Sequence, residues 1–321
     1  MEGELIMTIK GQVNPGEKLT FTIDAADAEK RLDIYLNDFF ERYSRSFFKR
    51  LIDDNLILVN EKSVKAGYAL KEGDKVSVTF PSLPAPKDLA PFDKDLGVKI
   101  VAQEPDFVVL FKPAGLMVHK PNEYTDEVTL VDWLLASYPQ LSSVGIPERP
   151  GIVHRLDKDT SGLLLVTLNN FAQHTFGDLF RARAVEKIYW ALVKGHPEKT
   201  GVIEFSIGRD PVFKHRMIHL PVKGKKRDAI TQYKVVTYYK DYSLVEVRLI
   251  TGRTHQIRVH FAAIGHPLLG DALYGKQSKL IARQALHAKK ISFEYQGKKY
   301  SYEYPVPEDM QKLIDQPVEA S

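Results

Sequence analysis

One short run gathers the reactive side chains of this sequence: His154-Arg155-Leu156-Asp157-Lys158-Asp159-Thr160-Ser161-Gly162, followed at once by the apolar Leu163-Leu164-Leu165-Val166. A charged loop that feeds a buried strand is a common way for a fold to present chemistry, because the loop carries the groups and the strand fixes them. Asp157 is the candidate nucleophile or base, since a carboxylate can attack an electrophilic carbon or remove a proton. The competing reading is ordinary turn chemistry, in which Asp, Thr, Ser and Gly bond nearby backbone and release the next strand. Cysteine is absent, which excludes thiol catalysis, disulfides and Cys-ligated zinc. His255, His260 and His266 cluster without a partner carboxylate at ligand spacing, and no His-Glu-x-x-His occurs, so no metal is expected.

The elements that must position this loop can be read from periodicity. The chain has 321 residues, 44% hydrophobic and 27% charged, with a formal charge of +4. These values fit a globular protein with room for two domains and permit a polyanionic partner without requiring one. Met1 to Val13 lacks the apolar run of a signal peptide and no stretch approaches membrane-spanning length, so a cytoplasmic protein with no membrane contact is expected. Leu32, Tyr35, Leu36, Phe39, Phe40 and Tyr43 recur at helical spacing, and a second helix is predicted from Ser44 with Phe47, Phe48, Leu51 and Ile52 on its apolar face. Strands at 56–59 and 75–78 complete a module over 19–80, preceded by an extension, 1–18. Pro81, Pro84, Pro86 and Pro91 punctuate a linker at 81–95. A second domain, 96–310, carries predicted strands at 98–101, 107–111, 163–168, 186–193, 229–236 and 244–251, and a tail covers 311–321. Helices are predicted at 129–138, 171–182 and after Thr254, its expected N-cap. Strands and helices mix without regular alternation, so the fold class is α+β.

The run from Arg149-Pro150-Gly151-Ile152-Val153 through His154-Arg155-Leu156-Asp157 to Leu164 resembles the signature of the RluA-type pseudouridine synthases. Thr251-Gly252-Arg253-Thr254-His255-Gln256-Ile257-Arg258-Val259-His260 resembles that family's third motif, and Lys187 to Gly195 its tyrosine-bearing strand. Further matches are Gly208 to Pro211, Gly265 to Asp271, Leu273 to Gly275 and Arg283 to Ala288. The N-terminal module, through Ser44-Arg45-Ser46, Lys49 to Ile52 and Leu70 to Asp74, is similar to the S-four RNA-binding domain. Asn55 stands where that domain usually has Gly, and Asn is the next best residue for a left-handed helix terminus. A protein-kinase loop is excluded, because Leu156 separates Arg155 from Asp157 and neither a Gly-rich loop nor Asp-Phe-Gly accompanies it.

The resemblance implies a mixed, largely antiparallel sheet with a cleft across it, in which uridine in RNA is isomerised to pseudouridine. That reaction has no net redox change, so no cofactor is expected. Asp157 is then the essential carboxylate, and because burial opposes its charge a cation should stand beside it. Arg258 matches the arginine that pairs with it, Tyr189 the aromatic platform for the base, and Arg155 the side chain that fills the place of the flipped uridine. Trp190 points to the opposite face and is assigned to packing. Arg42, Arg45, Lys49 and Arg50 bunch around the second module helix and become candidate phosphate contacts, as does the basic run Lys223 to Arg227. Structured RNA is the expected partner, ribosomal more than transfer RNA, with no obligatory protein partner and a monomeric chain. The alternatives are a non-catalytic RNA-binding or ribosome-assembly factor, whose hallmark would be loss of Asp157, Tyr189 or Arg258, and a nucleosidase, which usually needs paired carboxylates.

Overall fold

The computed structural model describes residues 13, 16–40, 43, 45–81, 94–120, 125–146, 149–213, 215–219 and 226–317. The first body is built from β1 (Lys18–Thr22), α1 (Leu32–Phe39), α2 (Arg45–Asp53), β2 (Ile57–Val59) and β3 (Lys75–Thr79). Its strands pair antiparallel in the order β1-β3-β2. The helically spaced Leu32, Leu36, Phe48 and Leu51 meet Val76 and Val78 in one buried core, because the apolar faces of both helices pack on the inward face of β3. The end of α2 depends on Asn55, which takes the left-handed conformation at φ 57°. The Leu56 N–H then reaches back to the Leu51 carbonyl at 2.8 Å and satisfies an end-of-helix acceptor. The expected cap Ser44 and most of the linker, 82–93, lie outside the described residues.

The second body contains β4 (Lys99–Gln103), β5 (Phe107–Lys112), α3 (Leu130–Ser137), β6 (Ser161–Thr167), α4 (Asn170–Arg181), β7 (Glu186–Lys194), β8 (Thr200–Ile203), β9 (Gly208–Arg209) and β10 (Met217–Ile218). It continues with β11 (Thr231–Tyr238), β12 (Tyr242–Leu249), α5 (Gln256–Ala263), β13 (Leu286–Tyr295), β14 (Lys298–Glu303) and α6 (Glu308–Ile314). Nine strands form one sheet in the order β4-β5-β6-β13-β7-β12-β11-β8, with β14 paired to β13. Each pairing is antiparallel except that of β6 with β13. This is the α+β class read from the sequence pattern, with the mixed, largely antiparallel sheet that the family resemblance implies.

Strand β6 is buried along its whole length because both faces of the sheet are covered there. Leu164 and Val166 face one core with Tyr189, Val247 and Ile257, while Leu163 and Leu165 face another with Phe176 and Phe293. Its parallel partner approaches closely at Gly162, where an added Cβ would lie 2.4 Å from the Ala288 carbonyl oxygen. Only glycine fits there, so the turn chemistry before β6 also serves strand packing.

Two expectations need correction. The cap of α5 is His255 rather than Thr254, and it sits in the left-handed conformation at φ 56° with no side-chain cap. Helix α6 also crosses the expected 310/311 boundary, because Met310 and Leu313 on one of its faces pack into a core with Tyr239 and Tyr242.

Candidate active site

Backbone anchoring of the 157–160 loop is what gives the site its shape. The Thr160 N–H closes a turn on the Asp157 carbonyl at 3.1 Å, and the Gly115 N–H donates to the Lys158 carbonyl at 3.0 Å. Lys112, at the end of β5 and fully buried, donates to the carbonyls of Pro113 at 2.8 Å, Leu116 at 2.8 Å and Lys158 at 3.0 Å. Burial pulls its pKa down to about 7, against the nearby charges of Asp159 and Asp157. Three carbonyl acceptors match the three N–H donors of an ammonium group, whereas a neutral amine has two. From the other side Arg283 donates to the Asp159 carbonyl at 3.1 Å while its fork grips Asp309 at 2.7 and 2.9 Å.

The carboxylate of Asp157 is half-buried and faces Arg258, whose Nη1 lies 3.3 Å from Oδ2. The tighter grip on this guanidinium belongs to Asp271, fully buried, which accepts from Nε at 2.7 Å and from Nη2 at 2.9 Å. Burial opposes the charge of Arg258, but the Asp271 fork and then Asp157 outweigh it and raise its pKa. Asp271 thus fixes the arginine and leaves its Nη1 to face Asp157. The ring of Tyr274 lies under the same guanidinium, 5.1 Å from its centre. His255 places Nε2 3.9 Å from the other Asp157 oxygen and Nδ1 2.8 Å from the Tyr274 hydroxyl. A left-handed backbone at a non-glycine residue costs roughly 1–2 kcal/mol, so His255 is held there by its surroundings.

These groups open onto a cleft of about 640 Å³ across one face of the sheet. Its lining includes Tyr189 from β7, and Arg149, Arg155, Arg181, Arg183, Lys187, Arg227, Arg253 and Arg258, with Asp157 the one carboxylate among the described lining residues. Burial raises the pKa of the Tyr189 hydroxyl, and the charge of Asp157 adds to this. Arg155 donates from Nη1 to Nε2 of His119 at 3.0 Å. That buried histidine is neutral, its pKa pulled down to about 4 by burial and by Arg155.

The structure brings Asp157, Arg258, Tyr189 and Arg155 to one cleft. Trp190 faces the other side and packs near Leu192 and Tyr242, as expected from strand alternation. His260 and His266 bond to the carbonyls of Phe205 and Lys194, at 3.0 and 2.8 Å. The α2 bases divide. Arg45 pairs with Asp33 at 2.7 Å, Arg50 donates to the Gly145 carbonyl of the second body at 2.5 Å, and Lys49 is exposed. Arg42 and Lys223 to Lys225 lie outside the described residues, while Arg227 reaches the cleft. Sequence reasoning assigned no role to Asp271, Tyr274, His119 or Lys112. For Asp271 a signal existed, the motif Gly265 to Asp271, but its partner lies on another element.

Residues 106–263 match the family described as RNA pseudouridylate synthase, and residues 30–76 match the S4 domain. The chain is 41% identical over 274 residues to an uncharacterized RNA pseudouridine synthase of Aquifex aeolicus, with 84% of each chain covered. It is 36% identical over 314 residues to a ribosomal large subunit pseudouridine synthase D of Zymomonas mobilis, with 94% of this chain and 97% of that one covered. Among solved structures, human RNA pseudouridylate synthase domain containing 1 superposes with a TM-score of 0.55 at 29% identity, over 65% of this chain and 84% of that one. The chain belongs to the RNA pseudouridine synthase family. It is an isomerase that carries an S4 RNA-binding domain ahead of its synthase domain.

Proposed function

We propose that this protein converts uridines of structured RNA, and of large-subunit ribosomal RNA first, to pseudouridine, with Asp157 as the reacting carboxylate. In the reaction the C1′–N1 bond breaks, the base turns, and a C1′–C5 bond forms. The C5 proton leaves and N1 gains one, so no group is lost. Asp157 either attacks C1′ to give a covalent intermediate or removes the C2′ proton on the way to a glycal. Both routes need it ionised, and Arg258 at 3.3 Å favours the charged form.

The observation that carries this reading is the placement of one carboxylate in a cleft lined by eight arginine and lysine side chains. Such a lining attracts a phosphate backbone, and Asp157 is the carboxylate it offers, among the described lining residues, for attack or proton removal. In this reading Tyr189 supports the displaced base, and Arg155, steadied by His119, takes the place of the flipped uridine. The S4 domain, over 19–80, contributes phosphate contacts through Lys49 and Arg45. Large-subunit RNA is preferred over transfer RNA because relatives such as that of Zymomonas mobilis carry that substrate in their names. Retention of Asp157, Tyr189 and Arg258 argues against a non-catalytic assembly factor.

Mapping pseudouridines across total RNA with and without the gene tests the substrate. Loss of one or more sites in large-subunit ribosomal RNA is the expected result. Losses confined to transfer RNA would overturn it.

A further inference from the structure

Asp157 has two oxygens, and the pairing with Arg258 accounts for one of them. The other faces the Nε2 of His255 at 3.9 Å, beyond hydrogen-bond reach. His255 arrives there by an unusual route. As the cap of α5 it adopts the left-handed backbone and caps nothing, so the turn aims its ring at Tyr274 and Asp157 instead. The Tyr274 hydroxyl accepts the Met217 N–H at 2.8 Å and lies 2.8 Å from the His255 Nδ1. Burial pushes the pKa of this hydroxyl up to about 12, so it keeps its proton. That proton needs an acceptor, and among the described residues the one it meets is Nδ1. The Nε2 of His255 therefore carries the hydrogen and presents it to the carboxylate. Burial, opposed by Asp157, lowers the pKa of His255, which keeps the ring neutral and its tautomer meaningful. The other charged groups around the ring are Arg258, Asp271 and Arg155.

We propose that His255, locked in one tautomer by Tyr274, is a positioning residue for Asp157: its Nε2–H closes on the free carboxylate oxygen when the uridine is bound. The carboxylate is then held from both sides, by the guanidinium on Oδ2 and the imidazole on Oδ1. Hydrogen bonds of this kind are often long before substrate binds and tighten afterwards. Tyr274 acts through the histidine, as the group that sets which nitrogen bears the proton. This inference rests on Asp157 being the reacting carboxylate.

Single-turnover rates and RNA affinity of the full chain, with C5-tritiated RNA as the probe, test it. His255→Ala should lower the rate roughly 10- to 100-fold, the range for a hydrogen bond to a charged group, with RNA affinity unchanged. His255→Gln places an amide N–H near the former Nε2 and should restore part of the rate. Tyr274→Phe keeps the ring under Arg258 and should slow the reaction by itself, yet add nothing in the His255→Ala background. Losses that add in the double variant, or a His255→Ala defect confined to RNA affinity, would overturn the proposal. The melting temperature of each variant identifies one that fails to fold, in which case the Tyr274→Phe rate, expected to fall, decides. An Asp157→Asn arm separates the two readings. Full activity there removes the parent assignment, whereas inactivity there with additive losses at His255 and Tyr274 rejects this inference alone.

Discussion

Tyr189 lies on β7, packs in the buried core and lines the cleft, and its proposed part is to stack on the displaced base. Base–aromatic stacking contributes about 1–3 kcal/mol. If stacking is its part, Tyr189→Phe should retain most of the single-turnover rate while Tyr189→Leu loses roughly 10- to 100-fold. Equal losses would assign the effect to the hydroxyl. At this scale the sequence was informative where a residue acts through its own motif. Asp157, Arg258 and Tyr189 each stand in a run long enough to single them out as candidates, and the fold brings all three to one cleft. The sequence was silent where a residue acts through a distant partner. The Asp271 fork on Arg258 and the Tyr274 bond to His255 depend on how α5 faces the segment after it, which no local pattern encodes.

Strand β5 and the turn after it hold the 157–160 loop through the Lys112 side chain and the Gly115 N–H. Lys112→Met keeps a chain of similar length but takes the donor from the carbonyls of Pro113 and Leu116, while that of Lys158 keeps the Gly115 N–H. An orphaned buried acceptor costs about 1–3 kcal/mol, and relief from burying a charge offsets part of the total. A net loss of roughly 3 kcal/mol by denaturant unfolding is expected, together with slower turnover at unchanged RNA affinity. Unaltered stability would mean that the loop is held without it. Element legibility followed burial. The run in β6 is apolar throughout because both its faces are covered, so it was plain. Strand β1 alternates between exposed and half-buried positions and offered no such run, and β13–β14 hides in a Lys- and Tyr-rich stretch. The left-handed cap at His255 could not be foreseen, because His has no intrinsic preference strong enough to announce it.

At the scale of the whole molecule two stretches carry basic side chains, α2 of the S4 domain and the cleft, and Arg50 ties α2 to the second body through the Gly145 carbonyl. Lys49 is exposed on α2, whereas Arg45 is engaged by Asp33. Lys49→Gln should therefore reduce the log–log salt slope of RNA binding by roughly 0.7, the value for one phosphate contact on a single strand. Arg45→Gln should change it less, because a phosphate must compete with Asp33. An unchanged slope for both would make this a solvated helix face. The two-body division was legible from the proline-punctuated stretch and the change in pattern on either side of it. The Arg50 contact was not, since a basic residue on an RNA-binding helix reads as a phosphate contact until its neighbours are known. The central claim, that Asp157 drives isomerisation, is tested most directly by tritium release from C5-labelled RNA, since forming the C1′–C5 bond expels that hydrogen. The wild-type chain should release tritium without producing free uracil. Asp157→Asn, verified free of deamidation, should bind the same RNA but release it at least about a thousandfold more slowly. Wild-type release from Asp157→Asn would contradict the account.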